Sequence, residues 1–133
     1  MKKRKGTVIA ICSSASFYKD ALRIAADLRK CGFVPVVPLT ASKMARNNDF
    51  NVNRYKTLFK DPADYKKKTF LMKKHFKEII ASDAVLILNL TKHGMKGYIG
   101  GNVLMEMAIA FHYRKPLYIY NDISPKSQFK EEI

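Results

Sequence analysis

Glu106 is the carboxylate in this sequence best placed to do chemistry. It sits in VLMEMAIAF, where Val103, Leu104, Met107, Ala108, Ala110 and Phe111 recur at helical spacing, so the acid has apolar neighbours on both sides. A buried carboxylate without a partner is costly, which puts Glu106 at a helix edge, beside a partner, or in a cleft. Gly100 and Gly101 precede the run, and Asn102 has the side chain to cap the helix. Glu106 then lies about one turn in, where the positive end of the helix dipole favours the ionised form. An ionised carboxylate beside a glycine loop, above the carboxyl end of a strand, can act as a nucleophile. Ligands of open α/β sheets bind in that position. The plainer alternative is a partly solvated glutamate on the helix flank.

A second group follows the first apolar run. Ser13, Ser14, Ala15 and Ser16 are small and lead into a helical pattern with Ala21, Ile24, Ala25 and Leu28. A strand, a small polar turn and a helix present backbone N–H groups to a phosphate. GxGxxG and GxxxxGK[ST] are both missing, so an ordinary serine cap (Ser14 or Ser16) explains the turn equally well. His75 lies among lysines near an apolar stripe. Cys12 and Cys31 have no metal-ligand spacing and read as free buried thiols. Cys12 acting with His75 or His93 as nucleophile and base is an open alternative. No motif calls for a metal or a cofactor.

The elements that must position these residues alternate. Thr7 to Cys12, Phe33 to Pro38, Val85 to Leu90 and Leu117 to Asn121 read as strands. Helices are expected from Phe17 to Lys30, from the Asp61-Pro62 cap to Ala81, and from Asn102 to Tyr113. The long helix carries Phe70, Leu71, Phe76, Ile79 and Ile80 as its apolar stripe. Leu39 to Asp61 is polar and long for a connection, so it reads as a lid or binding loop with a short helix near Asn53 to Phe59. Its aromatics Phe50, Tyr55 and Phe59 cover a planar base or simply pack. Ser124 to Ile133 reads as a polar tail. Right-handed crossovers make this an α/β protein: a doubly wound, Rossmann-like parallel sheet, order 2-1-3-4, with helices on both faces. Strands one and three are then neighbours, and their carboxyl ends form the switch-point crevice. Ser13, Ser14, Gly100, Gly101, Asn102 and Glu106 should surround it.

A chain of 133 residues reads as one domain, 1–133. At 47% hydrophobic it can bury a core, which argues against global disorder. No apolar run is long enough to span a bilayer, and TVIAICSSA after MKKRKG reads as a first strand rather than a signal peptide. The expected setting is a reducing cytoplasm. The formal charge of +14 favours anionic ligands. Lys2, Lys3, Arg4 and Lys5 form one basic cluster, and Lys66, Lys67, Lys68, Lys73, Lys74 and Lys77 another. A basic helix can bind nucleic-acid phosphates or be a solvated face, and no zinc-finger or RNP-type motif accompanies it.

The series SDAVLILN, glycine loop, ExxxA and KPLYIYN resembles the nucleoside 2-deoxyribosyltransferase-like family, which includes deoxyribonucleoside 5′-phosphate N-hydrolases. The resemblance spans about residues 6 to 122. It rests on Asp83, Gly101, Glu106, Ala110 and Lys115-Pro116, with Cys12-Ser13-Ser14 and the long middle loop in support. Tyr98 to Phe111, YIGGNVLMEMAIAF, resembles one small branch. The resemblance implies that Glu106 attacks the anomeric carbon of a nucleoside or nucleotide, giving a covalent deoxyribosyl-enzyme that water or a second base then resolves. It implies substrate contacts from Ser13, Ser14, Asp83, Gly100, Gly101 and Asn102, and a homo-oligomer. The family's acid on the preceding helix is matched most nearly by His75, a residue type suited to general acid work. Ala10 stands where the family has a tyrosine, Ser16 where the hydrolases have a phosphate-binding arginine, and Gly100 where the family has a loop acid or serine. The competing readings are a nucleotide-binding or sensing module without turnover, and a nucleic-acid-binding protein using the lysine faces.

Overall fold

The structure, a computed structural model, describes residues 6–55 and 62–133. The lysine and arginine cluster at 2–5, Phe59 and the expected Asp61 cap lie outside the described residues. Four strands, β1 (Val8–Cys12), β2 (Val34–Val36), β3 (Ala84–Ile87) and β4 (Leu117–Ile119), form one parallel sheet in the order β2-β1-β3-β4. The α-helices among the described residues are α1 (Tyr18–Lys30), α2 (Leu39–Asn47), α3 (Pro62–Ala81) and α4 (Gly101–His112).

Strand alternation divides the core in two. Ala10 and Cys12 of β1, with Val85 and Ile87 of β3, face Ile79 of α3 and Val103, Met107 and Ala110 of α4. The alternate residues Ile11, Leu86 and Leu88 face Phe17 and the Ala21 and Ala25 stripe of α1. The sheet is therefore covered on both sides, the arrangement expected of parallel strands that read as near-continuous apolar runs.

Several local expectations are corrected. Leu39 to Asn47 is helical, not loop: Ala41 and Met44, three apart, are fully buried, and Asn48 ends the helix in the left-handed region at φ 48°. A 3₁₀ turn follows at Val52–Arg54, capped by Asn51, whose side chain accepts from the Asn53 N–H. A 3₁₀ turn at Ala15–Phe17 precedes α1, and neither Ser14 nor Ser16 caps the helix proper. Gly100, not Asn102, is the cap residue of α4. On α4 the buried face is Val103, Met107 and Ala110, while Ala108 and Phe111 point outward. Phe70 of α3 is likewise exposed. Cys12 is buried, but Cys31 is exposed.

The segment after β4 is tied back to the sheet. Ser124 and Ser127 are buried and Ile123 packs on the core. Asn89, just past β3, donates to the Asn121 carbonyl and accepts from its N–H, both at 2.8 Å, and Asn121 Nδ2 donates to the Asn89 carbonyl at 2.9 Å. Gly97, at φ 75°, packs against the Asp122 carbonyl with no room for a side chain. These contacts fix where the loop from β3 to α4 runs, and hence where α4 begins.

Candidate active site

The carboxyl ends of β1 and β3 open into a cavity of about 530 Å³, within the range of small-molecule pockets. Ser13, Ser14, Gly100, Gly101, Asn102 and Glu106 all line it, as does His75. Ser13 and Glu106, 93 positions apart, share it because β1 and β3 are neighbours and the chain leaves them in different directions.

Asp83 is elsewhere. It precedes β3, so it sits at the amino edge of the sheet, where its Oδ2 accepts from the Val8 N–H at 2.8 Å and its own N–H donates to the Val8 carbonyl. In a parallel sheet that edge is opposite the cavity, and Asp83 is not among the lining residues. Of the middle-segment aromatics, Tyr55 reaches the cavity, where its hydroxyl accepts from Asn47 Nδ2 at 3.2 Å, while Phe50 stacks under Lys19.

Where His75 and Glu106 line the cavity, the buried Cys12 reaches them from behind, so that three side chains from three elements converge. Cys12 ends β1, His75 lies in the middle of α3, and Glu106 projects from α4, which packs against α3. His75 Nε2 is 3.6 Å from Cys12 Sγ and 3.7 Å from Glu106 Oε2. The other ring nitrogen, Nδ1, is 3.2 Å from Glu78 Oε2. An ionised carboxylate only accepts, so Nδ1 carries the proton and Nε2 is turned toward Cys12 and Glu106. Lys74 Nζ holds the other Glu78 oxygen at 3.1 Å.

The Glu106 side chain is 15% exposed, and its Oε2 has no hydrogen-bond partner among the described residues. Burial raises its carboxyl above the ordinary range, and the charge of His75, the Cys12 thiol and Lys68 pull it back part of the way. Burial also pushes the Cys12 thiol well up, with the nearby Glu106 charge adding to it. Glu78 moves the other way: burial would raise it, but the His75 and Lys74 contacts prevail and hold it below the usual carboxylate value. The two acids are thereby set apart, with Glu78 kept ionised and Glu106 poised nearer to protonation.

Among the lining residues that sequence reasoning missed are Glu78, Tyr18, Lys92 and Lys68. Glu78 was hidden by its place in a lysine-rich helix, although its i,i+3 spacing from His75 marks the pair. Tyr18 is half-buried in the cavity wall, and desolvation followed by the Glu106 charge raises its hydroxyl. It brings a phenol to the cavity that Glu106 lines, from the start of α1, whereas Ala10 of β1 offers none. Lys92 donates from Nζ to Ser14 Oγ at 2.8 Å, spanning the cavity mouth between the two loops. Lys68 also faces the cavity, where desolvation lowers its amine.

No family sequence model and no curated relative matches the chain. Among solved structures, the 2-deoxyribosyltransferase of Bacillus psychrosaccharolyticus superposes with a TM-score of 0.55 over 85% of this chain and 71% of that one, at 17% identity. The two chains share a fold. At this identity the likeness concerns the architecture alone, which in this chain is a parallel sheet in the order 2-1-3-4 clad by helices.

Proposed function

We propose that the protein, as a single deoxyribosyltransferase-like domain over 1–133, breaks the N-glycosidic bond of a nucleoside or its 5′-monophosphate, with Glu106 as nucleophile. One observation carries the reading: a buried carboxylate with an unpartnered oxygen faces a nucleotide-sized cavity beside an oriented histidine. The carboxylate oxygen bonds to the anomeric carbon as the carbon–nitrogen bond breaks, and that bonding pair leaves with the base. His75, as imidazolium, gives the base a proton from Nε2, with Glu78 stabilising the charged ring. Water or a second base then displaces Glu106 from the sugar. The pair of roles, ionised nucleophile and proton donor, is that of retaining glycosidases. Lys92 at Ser14 and Lys68 supply positive charge suited to a 5′-phosphate. No helix among the described residues is long and apolar enough to cross a membrane, and the cytoplasm with its nucleotide pools is the proposed setting.

A second reading keeps the pocket and drops the turnover. It is favoured by Ala10, Ser16 and Gly100, which leave the site without groups that the resemblance would supply. The two separate when purified protein is incubated with deoxynucleosides and their 5′-monophosphates and free base is measured chromatographically. Base release that disappears in Glu106→Ala, while ligand binding largely survives, is the expected result, because removing a nucleophile acts on the transition state. An active Glu106→Gln protein would end the nucleophile assignment. Saturable binding with no base release would establish the binding module.

A further inference from the structure

We propose that Cys12, His75 and Glu106 form a binding site for one thiophilic divalent metal ion of the zinc type, with its fourth position open to the cavity. The three ligand atoms, Sγ, Nε2 and a Glu106 carboxylate oxygen, all lie within 4.8 Å of one another. Zinc bonds of about 2.3 Å to sulfur and 2.0–2.2 Å to nitrogen or oxygen, at tetrahedral angles, put the sulfur and nitrogen about 3.6 Å apart and the nitrogen and oxygen about 3.4 Å apart. The corresponding distances here are 3.6 Å and 3.7 Å. The sulfur and the carboxylate oxygen lie within 4.8 Å of each other, against about 3.6 Å in the same geometry, so an ion is held once the Cys12 and Glu106 side chains close by up to about 1 Å through their torsions.

The donor set selects the ion. Sulfur, imidazole nitrogen and one carboxylate suit zinc and its first-row neighbours, while magnesium and calcium ask for six or more oxygens. A thiolate and a carboxylate together neutralise a divalent charge, which matters in a site this buried. Binding forms the metal–sulfur bond and releases the Cys12 proton to solvent through the cavity.

The surroundings are those of a built site. Each ligand comes from a different rigid element, and Cys12 is further fixed by the Leu88 N–H, which donates to its carbonyl at 2.9 Å. Glu78 holds His75 Nδ1, the carboxylate–histidine arrangement that orients a metal-bound imidazole, and Lys74 holds Glu78. Among the described residues, Glu106 Oε2 is a buried side-chain oxygen without a hydrogen-bond partner, and it lies 3.7 Å from His75 Nε2. The inference stands apart from the glycosidic reading. Where both hold, the ion occupies the Glu106 oxygen that would attack the sugar, and zinc inhibits base release.

The test uses untagged full-length protein, stripped by a chelator and titrated with cobalt(II). One cobalt per chain is expected, with visible bands of tetrahedral intensity and a thiolate-to-cobalt charge-transfer band in the near ultraviolet, all displaced by zinc. Cys12→Ser should lose the charge-transfer band, Cys31→Ser should keep it, and Glu78→Gln should weaken binding about 10–100-fold. Should Cys12→Ser fail to fold, X-ray absorption of zinc on the unmodified protein decides, with one sulfur and the remaining scatterers nitrogen or oxygen expected. Absence of stoichiometric binding, a band that follows Cys31, or a zinc shell without sulfur would overturn the proposal. None of these readouts involves a nucleoside, so the metal site and the glycosidic activity can fail independently.

Discussion

The surroundings of Glu106 work against its charged form. Burial raises its carboxyl, and one oxygen has no hydrogen-bond partner among the described residues. Function and stability should therefore move in opposite directions when it is replaced. Glu106→Gln is expected to abolish base release yet raise stability at neutral pH by about 0.5–2 kcal/mol, read as a higher midpoint in urea. The sign with pH follows from linkage. A group whose folded pKa is raised contributes stability below its unfolded pKa and loses it as pH rises through the folded value. The advantage of the glutamine variant should thus be full at neutral pH and vanish as pH falls below the ordinary carboxylate range. A structural glutamate holding the loop predicts the reverse, a glutamine variant of equal or lower stability at every pH. The same raised carboxyl should move the acid limb of turnover upward from an ordinary glutamate's.

Elements place the site through a few connections of unequal importance. The Asn89–Asn121 pair ties the exits of β3 and β4 together from inside the protein, and Asn89 is almost fully buried. Asn89→Ala strips partners from two Asn121 backbone groups, at about 1–3 kcal/mol each. Chemical denaturation should show a loss of roughly 2–6 kcal/mol for two such groups. The Asp83 side chain makes one exposed bond at the far edge of the sheet. Asp83→Ala should cost no more than about 1 kcal/mol and leave turnover intact. Loss of turnover at unchanged stability would return Asp83 to the active site. The α3 lysines divide in the same way: Lys68 and Lys74 line the cavity, while Lys66, Lys67, Lys73 and Lys77 face solvent.

On the scale of the molecule, a formal charge of +14 draws anions to every face. The KM for a 5′-monophosphate should rise with ionic strength, while that for the uncharged nucleoside stays flat. Steep salt dependence for duplex or single-stranded nucleic acid, without any nucleotide turnover, would favour the lysine faces as the functional surface instead. The edge strand also leaves apolar surface uncovered. Phe111, Tyr118 and Tyr120 are 78%, 61% and 53% exposed around β4. Self-association over this edge is expected, measured by sedimentation, with Tyr118→Lys shifting the protein toward monomer. A native protein that is monomeric at all concentrations would remove that interface.

The sequence by itself determined the architecture. Apolar runs of strand length alternating with helical periods permit few topologies once crossovers are right-handed, and β2-β1-β3-β4 is the one observed. It also determined that the turn after β1 and the glycine loop before α4 face one crevice, because that follows from strand order alone. Short-range signals were weaker where burial decides. The helix Leu39–Asn47 is held by just two buried side chains in a polar stretch, and Phe70 and Phe111 face outward because neither lies on the side of its helix that meets the sheet. What only the tertiary structure decided is who touches Glu106. Cys12, His75 and Glu106 are separated by 63 and 31 positions, and no spacing rule links a strand end to the middle of one helix and the flank of another. Side-chain direction across packed elements depends on the angle and depth at which α3 and α4 meet. That is set by every apolar residue between them, and so cannot be read from any one of them.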